Sequence, residues 1–61
     1  MGLTPKQERF AQLVAGGTNQ SDAYRKAYDA KRMKAATVHR NAAALMRNNK
    51  IATRVAEIKE P

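Results

Sequence analysis

The apolar side chains of this 61-residue chain recur at intervals of three and four, and nowhere do they alternate. Phe10, Leu13 and Val14 fall on one helical stripe. Val38, Ala42 and Leu45 make a second at i, i+4 and i+7, and Ile51, Val55 and Ile58 repeat that spacing. A period near 3.6 buries one side of a helix and cannot line one face of a strand. The expectation is therefore an all-α fold, a small bundle of about four helices. After Met1, the other large apolar residues are few: Leu3, Tyr24, Tyr28, Met33 and Met46. No cysteine is present to add a disulfide or a thiolate metal site. Ordering each residue costs roughly 1.5 kcal/mol, so a core this small must be packed efficiently. So little protein also leaves no room for a deep substrate pocket.

Local signals divide the chain. Thr4 can cap a helix, Pro5 suits its first position, and Gln7 can complete a capping box. Gly16-Gly17 stops that helix, because glycine accepts the left-handed conformation of a helix end. Thr18 or Asn19 can cap a second helix, with Asp22 complementing its dipole. Ala23, Tyr24, Ala27 and Tyr28 form its inward face, and the alanines let two helix axes come close. Asp29 to Lys34 is polar, and its one large apolar residue, Met33, is expected to tuck under the turn. Asn48 or Asn49 ends a third helix and caps a fourth. The predicted helices are 5–16, 19–28, 35–47 and 49–59, all in one domain spanning residues 1–61.

The formal net charge is +7. It favours a polyanionic partner, nucleic acid first and an anionic membrane second; a solvated basic surface is the plain alternative. No stretch approaches the roughly 18–20 apolar residues of a membrane span. The N-terminus lacks the apolar core of a signal peptide. Lys6 stands where the myristoylation pattern opened by Met1-Gly2 wants Ser or Thr. Asn19-Gln20-Ser21 fits a glycosylation acceptor, which carries no weight without a secretion signal. A cytoplasmic protein with no membrane partner is expected.

The second and third helices, joined by a short turn, suit helix-turn-helix geometry. The third can lie in the major groove of double-stranded DNA, about 12 Å wide, with its outward residues Ala36, Thr37, Arg40, Asn41, Ala44 and Arg47 toward the bases. Arg40 can donate two hydrogen bonds to a guanine edge, and Asn41 can pair with an adenine edge. Thr37 can contact a thymine methyl group or a phosphate. Ala36 and Ala44 are small enough for close approach. Arg25, Lys26, Lys31, Arg32, Lys34, Arg40 and Arg47 are opposed in this stretch by one acid, Asp29. Such a cluster can neutralise phosphates and position the protein without reading sequence. Lys6 and Arg9 can add backbone contacts.

Other chemistry finds little support. His39 is the lone histidine, with no cysteine to share a metal, and reads as a surface residue or a phosphate contact. Ser21 shows no His/Asp partnership. Glu8, Glu57 and Glu60 read as ion-pair partners. Gly16-Gly17 lacks the Gly-Lys-Ser/Thr pattern of a phosphate loop. Tyr24 and Tyr28 can stack on bases, but their helical spacing favours core packing. No catalytic residue, cofactor or metal is expected.

Four segments in order carry a family resemblance. Leu3-Thr4-Pro5-Lys6-Gln7-Glu8-Arg9-Phe10 resembles the opening of phage terminase small subunits. Asn19-Gln20-Ser21-Asp22-Ala23-Tyr24-Arg25-Lys26-Ala27-Tyr28 resembles their second helix. Met33-Lys34, Thr37-Val38, Ala42 and Leu45-Met46 resemble their third helix in its longer-turn variant. Asn48-Asn49-Lys50-Ile51 with Arg54-Val55 resembles the closing segment. Ala35 and Asn49 depart from the pattern, standing where many relatives carry a helix-starting proline, which is favoured there but not required.

The resemblance implies a non-catalytic protein that recognises the packaging site on viral DNA. It would present that DNA to a large subunit carrying the ATPase motor and nuclease, in the bacterial host cytoplasm. It also implies a ring homo-oligomer built through a central helical domain. This chain would then be a DNA-binding domain from a longer protein, lacking that oligomerisation domain here and monomeric alone. It would meet the large subunit through regions outside this chain. A helix-turn-helix transcription regulator or transposase domain would bind DNA by the same physics. A helical protein-interaction module would use Arg40, Asn41 and Ala44 against an acidic protein instead. A basic membrane-binding helix would want bulkier apolar faces, and an enzyme would want a convergent acid/base or metal set.

Overall fold

Thr4 opens the first helix with a reciprocal cap. Its Oγ1 accepts the Gln7 amide at 3.2 Å, and its own amide donates to Gln7 Oε1 at 3.0 Å. The computed structural model describes residues 2–60. Met1 of the Met1-Gly2 pattern and Pro61, the last residue of the expected domain, lie outside the described residues. Four helices follow in order: α1 (Pro5–Ala15), α2 (Gln20–Ala27), α3 (Ala35–Arg47) and α4 (Asn49–Lys59). No strand occurs among the described residues.

Each helix end has a local cause. At the end of α1, Gly17 alone takes the left-handed region, at φ 105°, while Gly16 keeps a negative φ. The Gly17 amide donates to Val14 O and the Thr18 amide to Leu13 O, each at 3.0 Å. These are the paired bonds of a Schellman motif, which satisfy carbonyls that the helix itself cannot. Asn19 caps α2, its Oδ1 accepting the Asp22 amide at 2.9 Å. Asn48 both ends α3 and caps α4. Its amide donates to Leu45 O at 3.1 Å, and its Oδ1 accepts the Lys50 amide at 2.9 Å. Lys34 starts α3 without a side-chain cap.

The helices close a ring of contacts. α1 packs on α2 and α4, and α3 packs on α2 and α4. The diagonal pairs stay apart with the core between them. Phe10 of α1, Val38 of α3 and Ile51 of α4 are the largest fully buried side chains. Burying Phe10 or Ile51 contributes about 1.5–3 kcal/mol. Ala11, Ala23 and Ala42 fill the places where helix axes approach, and Tyr24 and Val55 complete the centre. Leu13, Val14, Leu45 and Ile58, from the predicted stripes, are only partly buried at its edge.

One expectation about the core is corrected at the α2–α3 turn. Met33 does not tuck under it; Met33 is 39% exposed, and Ala30 is the buried apolar residue there, at 8%. α2 and α3 already pack directly on each other, so the space beneath the turn admits a methyl group rather than a long thioether.

Candidate nucleic-acid interface

α3 presents one continuous face away from the core. Val38 and Ala42 point inward, and at about 100° per residue the opposite side carries Ala36, Arg40, Ala44 and Arg47. All four are exposed. No acidic residue lies between Ala35 and Arg47. Arg47 occupies the last turn, where a cation complements the helix dipole. Two small residues and two arginines form a low, positively charged ridge.

The flanks of that ridge differ from expectation. Thr37 and Asn41, expected to point outward, are half-buried. They lie one turn apart on the shoulder beside Val38, and Asn41 meets α2 there. Asn41 Nδ2 donates to the Tyr24 hydroxyl at 3.1 Å, and that hydroxyl donates to Met33 Sδ at 3.7 Å. The Tyr24 ring in turn stacks on Tyr28, with centroids 4.7 Å apart and planes at 16°. Both tyrosines are packed in the protein, Tyr24 buried and Tyr28 partly so. Burial and the neighbouring Tyr24 raise the Tyr28 phenol above its ordinary value.

On the opposite flank, roughly 200° from Asn41 around the helix, His39 Nδ1 shares a hydrogen bond with Ser21 Oγ. Sequence reasoning found no partner for Ser21 and placed His39 at the surface. The structure keeps His39 exposed but joins the two. They are eighteen positions apart on different helices, so no periodicity could have linked them. Asp22, the neighbouring acid, is occupied by Asn19 at 3.0 Å and Arg25 at 3.2 Å. No carboxylate hydrogen-bonds the imidazole among the described residues. Two polar links, Ser21–His39 and Tyr24–Asn41, therefore straddle α3 where α2 crosses it.

The turn supplies the remaining charge. Arg25 and Lys26 are exposed at the end of α2, and Lys31, Arg32 and Lys34 are exposed before α3. Arg25, Lys26 and Lys31 line one shallow depression with Tyr28 and Asp29; Lys31 and Arg32 line the next with Met33. Asp29 bends back to accept the Lys31 amide at 3.4 Å. Residues 28–34 make this connection longer than the three or four residues usual in a helix-turn-helix. Lys6 lies with its Nζ 5.8 Å from the Tyr28 ring centroid, tying α1 to the end of α2, while Arg9 is exposed.

The glutamates lie elsewhere. Glu8 of α1 is gripped by Arg54 of α4, which also reaches Glu57 at 3.6 Å. The expected ion-pair role of these two glutamates is what the structure shows; Glu60 is exposed at the end of α4. Among the described residues, no three of His, Cys, Asp and Glu are grouped to hold a metal ion. No described helix is long and apolar enough to cross a membrane.

A Haemophilus influenzae protein described as uncharacterized is 43% identical to this chain over 60 residues, a match covering 97% of the chain and 35% of that protein. The chain thus spans about a third of the length of this relative. No family model and no solved structure matches the chain.

Proposed function

We propose that this chain is a DNA-binding domain that lays α3 in the major groove of duplex DNA. The observation that carries the reading is the acid-free α3 ridge, with exposed Arg40 and Arg47, beside the basic turn of Lys31, Arg32 and Lys34. An exposed helix fits the groove, and its arginines reach base edges or phosphates. The turn and the end of α2, through Arg25 and Lys26, grip the backbone by charge and set the register.

The biological assignment is the DNA-recognition domain of a phage terminase small subunit. The resemblance of four ordered segments supports it, and the structure gives those segments one helix each. On this reading the domain binds and does not catalyse, needs no cofactor, and works in the bacterial host cytoplasm. Regions outside the chain assemble the ring and meet the large ATPase/nuclease subunit. Many weak domains in a ring would then add through avidity.

The test is fluorescence anisotropy with duplex DNA over a salt series, comparing the wild type with Arg40→Ala/Arg47→Ala. Steep loss of affinity with salt, and weaker binding by the variant, supports the interface. Absence of salt-dependent binding even at low salt refutes it and moves the protein-interaction module forward. Co-purification of a large ATPase/nuclease with the full-length protein supports the packaging role. Selective binding to a promoter-proximal operator counts against it.

A further inference from the structure

Asn41 meets Tyr24 through the nitrogen of its amide rather than the oxygen. The Tyr24 hydroxyl has one proton, which it gives to Met33 Sδ at 3.7 Å. Toward Asn41 it can then only accept, and Asn41 Nδ2 donates to it at 3.1 Å. With the amide rotated by half a turn the hydroxyl proton would go to Oδ1 instead, so the observed arrangement is the one in which Tyr24 bridges Asn41 and Met33. Oδ1 is therefore directed away from Tyr24, and Nδ2 keeps a second hydrogen that Tyr24 does not use.

We propose that Tyr24 is a positioning residue that fixes the Asn41 amide to read adenine at one position of a DNA site. This rests on the DNA-binding reading above. A free Oδ1 beside a free N–H is the acceptor–donor edge that matches the N6 donor and N7 acceptor of adenine in the major groove. Guanine offers two acceptors there, O6 and N7, and would set O6 against Oδ1. The half-buried shoulder position holds the side chain on one side and leaves it open on the other. Tyr24 itself is held by burial at 6% exposure and by its stack on Tyr28. Its orientation is thus set before any base arrives, and Asn41 loses less rotamer freedom on binding.

The experiment selects duplexes from a randomised pool with the wild-type chain. It then measures affinity for the selected duplex, for its single adenine-to-guanine changes, and for the unselected pool. Wild type is expected to enrich one adenine that Asn41→Ala does not, with an A-over-G preference of about 5- to 150-fold at that position. Tyr24→Phe keeps the stacked ring and loses the hydroxyl; it should lower that preference by about fivefold, the worth of one ordinary hydrogen bond. Tyr28→Phe, which loses a hydroxyl that does not touch Asn41, should leave the preference intact. All variants should bind the unselected pool equally. If Tyr24→Phe keeps the full preference, or weakens selected and unselected DNA alike, the positioning role is overturned. If the wild type binds duplexes but enriches no adenine that depends on Asn41, this inference fails and the DNA-binding reading stands. If the wild type binds no duplex at any salt, both fail.

Discussion

The guanidinium of Arg54 holds the carboxylate of Glu8 through two nitrogens, with Nε 2.9 Å from Oε1 and a terminal nitrogen 3.0 Å from Oε2. Bidentate geometry of this kind fixes direction as well as distance. It ties α4 to α1 across the side of the bundle away from the basic turn. It also takes Arg54 out of the pool of cations free to meet a phosphate.

That pair gives stability a pH dependence. Hydrogen bonds from Arg54 first, and from Gln12 second, hold the Glu8 carboxyl below its ordinary value. A depressed folded value means the contribution is present above the unfolded value and is lost as pH falls through the folded one. Melting temperatures of the wild type and Glu8→Gln should differ most near pH 7 and converge as pH falls through and below the depressed Glu8 value. An offset that stays constant across that range would show that the Glu8 charge has no part in it.

Among the described residues Gly17 is the one in the left-handed region, at φ 105°, and a Cβ there would meet nothing within 4 Å. Space is therefore no obstacle to alanine; backbone strain is. Gly17→Ala should destabilise by about 1–2 kcal/mol, the usual cost of placing a Cβ in that conformation. Gly16→Ala is the comparison, since Gly16 has an ordinary negative φ. Its Cβ would sit 3.3 Å from Gln12 O, so a smaller loss is expected there. Urea unfolding of the two variants checks the order, and equal losses would show that the Schellman geometry is not what sets the cost.

Ile51 is fully buried at the start of α4 and lies in the same core as Phe10 and Val38. Ile51→Ala removes buried methyl groups and leaves a cavity, with an expected loss of about 2–5 kcal/mol. In a domain this small that is a large part of the total. The circular dichroism melt should shift to a much lower temperature or vanish. Ile58→Ala, at the half-buried end of the same stripe, should cost distinctly less; a similar loss would mean the two sites share burial that the fold does not give them.

What the sequence made legible follows from how local each cause is. Thr4, Gln7, Gly17, Asn19 and Asn48 act on amides and carbonyls within a few residues, so caps and boundaries could be read directly. α3 and α4 match the predicted spans, α1 ends one residue early, and α2 starts one residue late and ends one early. The stripes of Val38 with Ala42 and of Ile51 with Val55 were legible for the same reason. Ala30, Met33 and Asn41 were not, because the crossing of α2 over α3 decides them. That crossing buries Ala30, leaves Met33 outside, and turns the Asn41 amide to Tyr24. The Ser21–His39 link is equally a product of that crossing. The exposed part of the candidate interface (Arg40, Ala44, Arg47 and the turn cations) was readable because exposure is the complement of a legible stripe.

The turn and the ridge should separate in their response to salt. Lys31, Arg32 and Lys34 are exposed in an irregular segment, where a cation can reach a phosphate but has no fixed approach to a base edge. Each phosphate contact releases counterions, adding about 0.9 to the slope of log affinity against log salt. Glutamine at any one of the three should lower the slope by about that amount and weaken binding evenly across sequences. Arg40 stands on the ridge of α3, where a bidentate contact to guanine is worth about 1–3 kcal/mol of discrimination. Arg40→Ala should therefore relax selectivity at one base pair, besides any change in slope. Affinities over a salt series, for a selected duplex and for a random one, distinguish the two behaviours. If the turn substitutions and Arg40→Ala change both duplexes alike, α3 supplies charge without base readout, and selectivity must come from the shape of the DNA.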